Sequence, residues 1–333
     1  MIEFEKTILH ILDSEHNTLI NSDECMRDMS VEIEKMLQIK TSKVFASSAK
    51  KKCEFKEGGH ITLYLNEYKE SKTTFEEMSQ KIAQFIFDAK MKYGLFDATD
   101  LIVSEVLFES RRYIVAIENA YSEGVTHNLV QKDEHITNEV IPYRTLLSLN
   151  LVKNDRAFIV ELSDMSVSSV ESKVEIEADK VNFYASIVLE SESTPSYSEA
   201  LSSISKTVAK LGDKFEIDEM DLIPKMKGII NDSVAAQTPI KVQEVGTLLF
   251  ADKPLAQNEF QEEMRTQGIS KDIEVEFVKS SKRDKMQKIK TDKGIEINIP
   301  VDYMNSKEFV EFQTQSDGTI SIQLKNINHI SSK

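Results

Sequence analysis

The chain has 333 residues, 40% hydrophobic and 29% charged, with 41 Lys and Arg against 56 Asp and Glu for a formal charge of −15. That is the length and composition of a soluble globular protein of two domains with a sizeable core, and the charge opposes long-range steering toward DNA or an anionic membrane. Its longest apolar runs, such as Tyr113-Ile114-Val115-Ala116-Ile117, are too short to span a bilayer; MIEFEKTILHILDSEH lacks the basic flank of a signal peptide; and Cys25 and Cys53, 28 positions apart without a CxxC, point to a reducing cytoplasm rather than a disulfide framework.

In chain order, residues 4–20 begin with a strand on which Ile8, His10 and Leu12 alternate. Residues 23–40 read as a helix through Met29, Ile33, Met36 and Leu37. The clearest helix is 74–92. Thr73 or Thr74 caps it, Glu76 or Glu77 completes a capping box, and Phe75, Met78, Ile82, Phe85, Ile86 and Ala89 form one apolar stripe. Gly94 stops it. The period then changes to two. Leu101–Phe108 and Tyr113–Ile117 read as an antiparallel hairpin around Glu109-Ser110-Arg111-Arg112, and 138–149 with 156–163 as further strands joined through Asn154-Asp155. A mainly antiparallel sheet with helices on one face is expected.

Residues 161–206 hold thirteen serines, and Glu190-Ser191-Glu192-Ser193-Thr194-Pro195 is the best linker candidate. It divides an N-terminal α+β sheet domain, 1–192, from a C-terminal domain, 196–333, of helices followed by a three-stranded β segment. Ser196 and Glu199 form a capping box for a helix to Leu211. Further helices run from Pro239 to Phe250 and from Gln257 to Thr266, with Gly268 as a stop. The terminal strands are 294–300, closed by Pro300, and two around Ser316-Asp317-Gly318. A three-residue loop with Gly318 left-handed sets Phe312 opposite Ile322 and Val310 opposite Leu324, which keeps the apolar residues on one face.

Motif chemistry is sparse. Ten glycines are about 3% of the chain against a usual ~7%, and none form GxGxxG or GxxxxGK, which argues against Rossmann and P-loop chemistry. There is no GxSxG or HExxH. His127, Asp133, Glu134 and His135 read as a solvated loop rather than a metal site, and His10 as a packed, hydrogen-bonded histidine. A divalent-metal nuclease would use acidic-x-Lys pairs such as Glu67-Tyr68-Lys69, Asp88-Ala89-Lys90 and Glu171-Ser172-Lys173, but this composition yields about seven such pairs by chance. The helices at 239–250 and 257–267 have helix-turn-helix spacing. The second carries Glu259, Glu262 and Glu263 against Arg265, which phosphate would repel.

Two stretches run against the overall charge. KTSKVFASSAKKKCEFK, 40–56, and KSSKRDKMQKIKTDK, 279–293, are each near +5. Charges more than about 8 Å apart are largely screened at physiological salt, so such a patch acts almost independently of the total. Few aromatics surround 279–293, which disfavours a base-stacking platform and favours backbone phosphate.

Ile8-Leu9-His10-Ile11-Leu12-Asp13, Leu101–Phe108 with Arg112–Ile117, and above all GIEINIPVDYM with EFVEFQTQSDGTISIQLKNI (294–304 and 308–327) resemble the bacterial 37-kDa nucleoid-associated protein family. The resemblance runs in order from about Ile2 to Ile327, apart from the Ser/Glu-rich region 164–200. It implies a cytoplasmic protein of the nucleoid with no catalytic motif, cofactor or metal. The expected partner is the phosphate backbone of double-stranded DNA or a nucleoid protein, with no membrane, and a homodimer stays open. The residues expected at phosphate are Lys50, Lys51, Lys52, Lys282, Arg283, Lys285, Lys288 and Lys290. The alternatives are a module docking on a DNA-handling enzyme, and the nuclease.

Overall fold

The run Leu101–Val106 is apolar at odd and even positions, so a strand made from it has two faces to cover. In the computed structural model, which describes residues 2–132, 135–269, 272–275, 285–304 and 306–329, both are covered. The chain divides into two units, Met1–Ser196 and Tyr197–Lys333.

The first unit is built from β1 (Glu3–Asp13), β2 (Thr18–Ile20), α1 (Val31–Phe45), β3 (Lys51–Phe55), α2 (His60–Lys69), α3 (Phe75–Lys92), β4 (Ala98–Phe108), β5 (Arg111–Lys132), β6 (His135–Leu147), β7 (Arg156–Glu161), β8 (Val167–Val170), β9 (Val174–Ile176), β10 (Asp179–Val181), a π-helical segment Phe183–Val188, and β11 (Ser191–Ser193). One sheet has the order β11-β3-β8-β7-β5-β4-β1-β2, with β6 on the outer part of β5, and every pairing is antiparallel. The fold is α+β.

Helices lie on both faces of the sheet, not on one. Leu101, Val103, Ile114, Ala116, Phe158 and Val160 pack with α2, α3 and the π-helical segment. The opposite parity, Val106, Val115, Ile117 and Ile159, packs with Val44 and Phe45 of α1. The β-branched runs on adjacent strands supply apolar side chains to both sides, and one layer of helices would leave half of them wet.

α3 begins as its capping box dictates. Thr74 Oγ1 accepts from Glu77 N at 3.2 Å, and the Glu77 carboxylate accepts from Thr74 N at 3.1 Å. α1 starts later than its apolar spacing predicts. The chain before it is tied elsewhere: Met26 N donates to Thr7 O at 2.7 Å, Ser22 Oγ to Leu9 O at 2.5 Å, and Asp28 is left-handed at φ 51°. The β4–β5 turn is two residues, Glu109 and Ser110, with φ of 49° and 63°, the geometry of a type I′ hairpin. Arg111 and Arg112 therefore open β5 rather than lie in the turn.

β6 and β7 do not pair with each other. β7 pairs with β5 over Tyr113–Glu118, and β6 pairs with the later stretch from Tyr121. The linker candidate contains an edge strand instead, since Ser191 pairs with Phe55 and Ser193 with Cys53.

The second unit begins with four helices, α4 (Tyr197–Lys214), α5 (Glu219–Ala236), α6 (Val242–Leu249) and α7 (Pro254–Thr266), followed by β12 (Met286–Lys290), β13 (Glu296–Pro300), α8 (Val301–Met304), β14 (Val310–Thr314) and β15 (Ile320–Leu324). Val208, Leu211, Met226, Ile230, Phe250 and Phe260 share its core. α6 begins after Pro239, because Ile240 is held in a bridge to Ile273. Part of the basic run is a strand: Met286–Lys290 pairs with β13. The terminal hairpin has the expected register, with Phe312 opposite Ile322 and Val310 opposite Leu324 and Gly318 at φ 83°.

Candidate nucleic-acid interface

The lysines of 40–56 have unlike fates. Lys40 is buried on α1, donating to Asn119 Oδ1 at 2.6 Å and Asp155 Oδ2 at 2.9 Å. Lys50 Nζ donates to Phe45 O at 2.8 Å. Lys51 is buried within β3, and a buried ammonium does not reach a phosphate, so it leaves the expected set; Lys52 and Lys56 are exposed. Of the second stretch, Lys282 and Arg283 lie outside the described residues. Lys285, Lys288 and Lys290 are exposed. Lys288 and Lys290 share one face of β12, and Lys288 pairs with Glu296 at 2.7 Å.

A third group of cations comes together only in the fold. Lys6 of β1, Lys69 at the end of α2, and Arg111 and Arg112 of β5 line a cleft of about 840 Å³, with Glu76 and Glu105 as its carboxylates. The register sets Lys6 opposite Glu105. Glu105 is buried and compensated: Tyr68 donates to it at 2.5 Å, with Lys6 at 3.5 Å and Arg112 at 3.6 Å. Burial, then the Glu105 contact, raises the Tyr68 phenol above its ordinary range, and the hydrogen bond to Tyr68 raises Lys6. The outer contacts are long. Arg111 lies 3.5 Å from Glu161 and Arg112 3.3 Å from Glu5, and such separations bind weakly. Four cations and two carboxylates line the cleft, and Glu5 and Glu161 beside it engage the two arginines, so it is a mixed-charge site in which an anion would compete with those carboxylates for Arg111 and Arg112. No local motif announced it, because positions 6 and 111–112 meet through strand register and position 69 arrives at the end of a helix.

The nuclease carboxylates are dispersed. Glu67 pairs with Lys81 at 2.7 Å. Asp88 accepts from Gln84. Glu171 is buried and accepts the backbone N–H groups of Tyr184 and Ala185. Among the described residues no group of three or more His, Cys, Asp or Glu is placed to hold a metal ion. His127 and His135 lie on strands rather than in a loop, and because they pair with Val140 and Lys132 respectively they fall on opposite faces of the β5–β6 ribbon. Asp133 and Glu134 lie outside the described residues. On α7, Ala256, Phe260 and Met264 are buried, and Glu259 and Glu263 pair with Lys214 and Lys210 of α4.

The densest set of ionisable groups is internal. Lys90 Nζ reaches Glu118 Oε1 at 2.7 Å, and Arg156 reaches Glu118 and Asp97 at 2.9 Å each. Burial pushes the Glu118 carboxyl up, but Lys90 and Arg156 override it and hold it at about 2. Burial, then the Glu76 contact, pushes the Cys25 thiol up to about 11, the reverse of a nucleophile.

His10 is fully buried. Ser22 N donates to its Nδ1 at 3.2 Å, so Nε2 carries the proton and donates to Ser79 Oγ at 3.0 Å. Burial lowers its pKa from 6.5 to about 4. The charged form is disfavoured in the fold, so this stabilisation is complete above pH 6.5 and is lost as pH falls toward 4. The loss is about 3 kcal/mol in full, near 1.4 per pH unit. Denaturant midpoints measured from pH 7 to 4 should show that slope, and His10→Gln should flatten it.

The described surface is that of an acidic α+β chain with local clusters of cations. The model of a family described as nucleoid-associated protein YejK matches residues 8–330, and the chain belongs to that family. A comparison with curated proteins found no match. Among the described residues, no helix is long and apolar enough to cross a membrane.

Proposed function

We propose that this nucleoid-associated protein works in the bacterial cytoplasm by binding the phosphate backbone of duplex DNA directly, without sequence choice and without catalysis. The cleft of Lys6, Lys69, Arg111 and Arg112 carries the reading. Lys50 and Lys52 of the first unit, and separately Lys282, Arg283, Lys285, Lys288 and Lys290 of the second, are the further phosphate contacts of this reading. Contacts of this kind position a protein on DNA but do not read bases.

If six phosphates are neutralised, log K falls with log salt at a slope of about −5. Gel retardation of random duplex across a salt series measures it. Arg111→Gln with Arg112→Gln should flatten the slope by about 2 while weakening all sequences alike. No retardation at about 50 mM salt, where phosphate contacts bind far more tightly than at 200 mM, would rule out direct contact.

A second reading, docking on a DNA-handling enzyme, is favoured by Leu248 and Leu255, which stand exposed on α6 and α7. It predicts weak DNA affinity and a partner that co-purifies after nuclease treatment.

A further inference from the structure

The cleft of Lys6, Lys69, Arg111 and Arg112 lies where the β4–β5 hairpin turns. Successive residues of a strand point to opposite sides, so Arg111 and Arg112 flank the start of β5 from its two faces. Their partners differ accordingly. Arg111 reaches Glu161 at 3.5 Å, and Arg112 reaches Glu5 at 3.3 Å and Glu105 at 3.6 Å. Both side chains stay more than half exposed, at 56% and 60%. Lys69 is exposed as well and donates to Ser163 O at 3.2 Å. Ser71 and Ser110 add two exposed hydroxyls. The floor compensates itself, since buried Glu105 is held by Tyr68 and Lys6, so the outer cations are the ones an incoming anion meets.

Charge decides what such a site holds. The anion has to draw both arginines away from carboxylates. An internal DNA phosphate is a diester, with a single charge and a single pair of unesterified oxygens. A phosphomonoester carries about −1.5 to −2 at pH 7 and three acceptor oxygens. It can engage both guanidinium forks together, and charge-assisted contacts of that kind are the strong ones. Shape points the same way. Cations on two sides of a cleft close around a group that enters end-on, whereas an internal phosphate lies on a rod with chain to either side.

We propose that the cleft takes a phosphomonoester, the 5′-terminal phosphate of a DNA strand, in preference to the internal phosphates of a duplex. This rests on the DNA reading above and adds to it a preference for ends. Strand cleavage that leaves a 5′-phosphate would create a binding site, and cleavage that leaves a 5′-hydroxyl would not.

Equilibrium anisotropy titrations of the full chain at about 50 mM salt compare two blunt duplexes of one random sequence, labelled at an internal base. One carries 5′-phosphates and the other 5′-hydroxyls. The phosphorylated duplex should bind about ten-fold more tightly, the worth of one further charge-assisted contact. Arg111→Gln with Arg112→Gln should erase that difference, and Lys69→Gln should reduce it. Lys35→Gln, exposed on α1 and outside the cleft lining, should leave it unchanged. Far-UV circular dichroism identifies any variant that fails to fold.

Equal affinities of the wild-type chain for the two duplexes overturn the inference and leave the backbone reading standing. So does a difference that survives in the folded double variant. A phosphorylated duplex that binds while the hydroxyl duplex does not keeps the inference and removes the backbone reading, and failure of both removes both. A deoxynucleoside monophosphate that displaces the phosphorylated duplex at micromolar concentration assigns the cleft to free nucleotide. A phosphoserine peptide that does the same assigns it to a modified protein. Either result overturns the assignment to DNA ends.

Discussion

Replacing Lys90 with Met should destabilise the Met1–Ser196 unit by about 3 kcal/mol, because it removes one of the two cations that compensate a buried carboxylate. Lys90 is fully buried on α3, and its ammonium donates to Asp97 O at 2.8 Å, Thr99 Oγ1 at 2.9 Å and Glu118 Oε1 at 2.7 Å. Met fills much the same volume but supplies none of these bonds. Glu118 keeps Arg156 and loses its other cation, so its carboxyl rises from about 2. In the wild type that depressed value contributes stability above pH 4.5, which is lost as pH falls through 2. In the variant the loss begins at higher pH. The chain has no tryptophan, so urea titration followed by far-UV circular dichroism is the measurement. A change below about 1 kcal/mol would mean that the network is solvated rather than buried.

Phe260→Ala should cost the second unit a similar 3–5 kcal/mol. The ring is fully buried on α7, with its centroid 6.0 Å from that of Phe250. It lies against a glycine, since a Cβ on Gly246 would meet Phe260 Cδ1 at 2.6 Å. Gly246 thus lets α6 approach the ring, and truncating the ring opens a cavity that the neighbouring helices only partly close. Single domains hold about 5–15 kcal/mol, so either substitution is a large fraction of the total. The sequence-based boundary at 192–196 makes a joint prediction. Lys90→Met should shift one unfolding transition and Phe260→Ala the other. A single transition displaced by both would refute two independent folding domains.

Local rules were legible where one physical demand dominated. The capping box fixed the start of α3, and the buried face fixed the register of the terminal hairpin, with Gly318 in its left-handed position. Reading failed where distant partners decided. β11 is polar because an edge strand of Ser and Glu needs no apolar face, so it passed for a linker. Lys40 and Lys51 counted toward a basic patch by residue type, yet both are buried. The same blindness hid the cleft, where Lys6 adjoins Arg111 and Arg112 through the pairing of β1 with β4 and β4 with β5 and Lys69 comes from the end of α2.

The 22 residues of β5 begin at the cleft and run on past the strand's neighbours in the sheet. Near the cleft the strand is held on both edges, by β4 as far as Ala120 and by β7 as far as Glu118, while from Tyr121 it is paired with β6. A ribbon held by one ladder opens at lower free energy than a strand in mid-sheet, so amide exchange along this single strand should grade from slow near the cleft to fast at its far end.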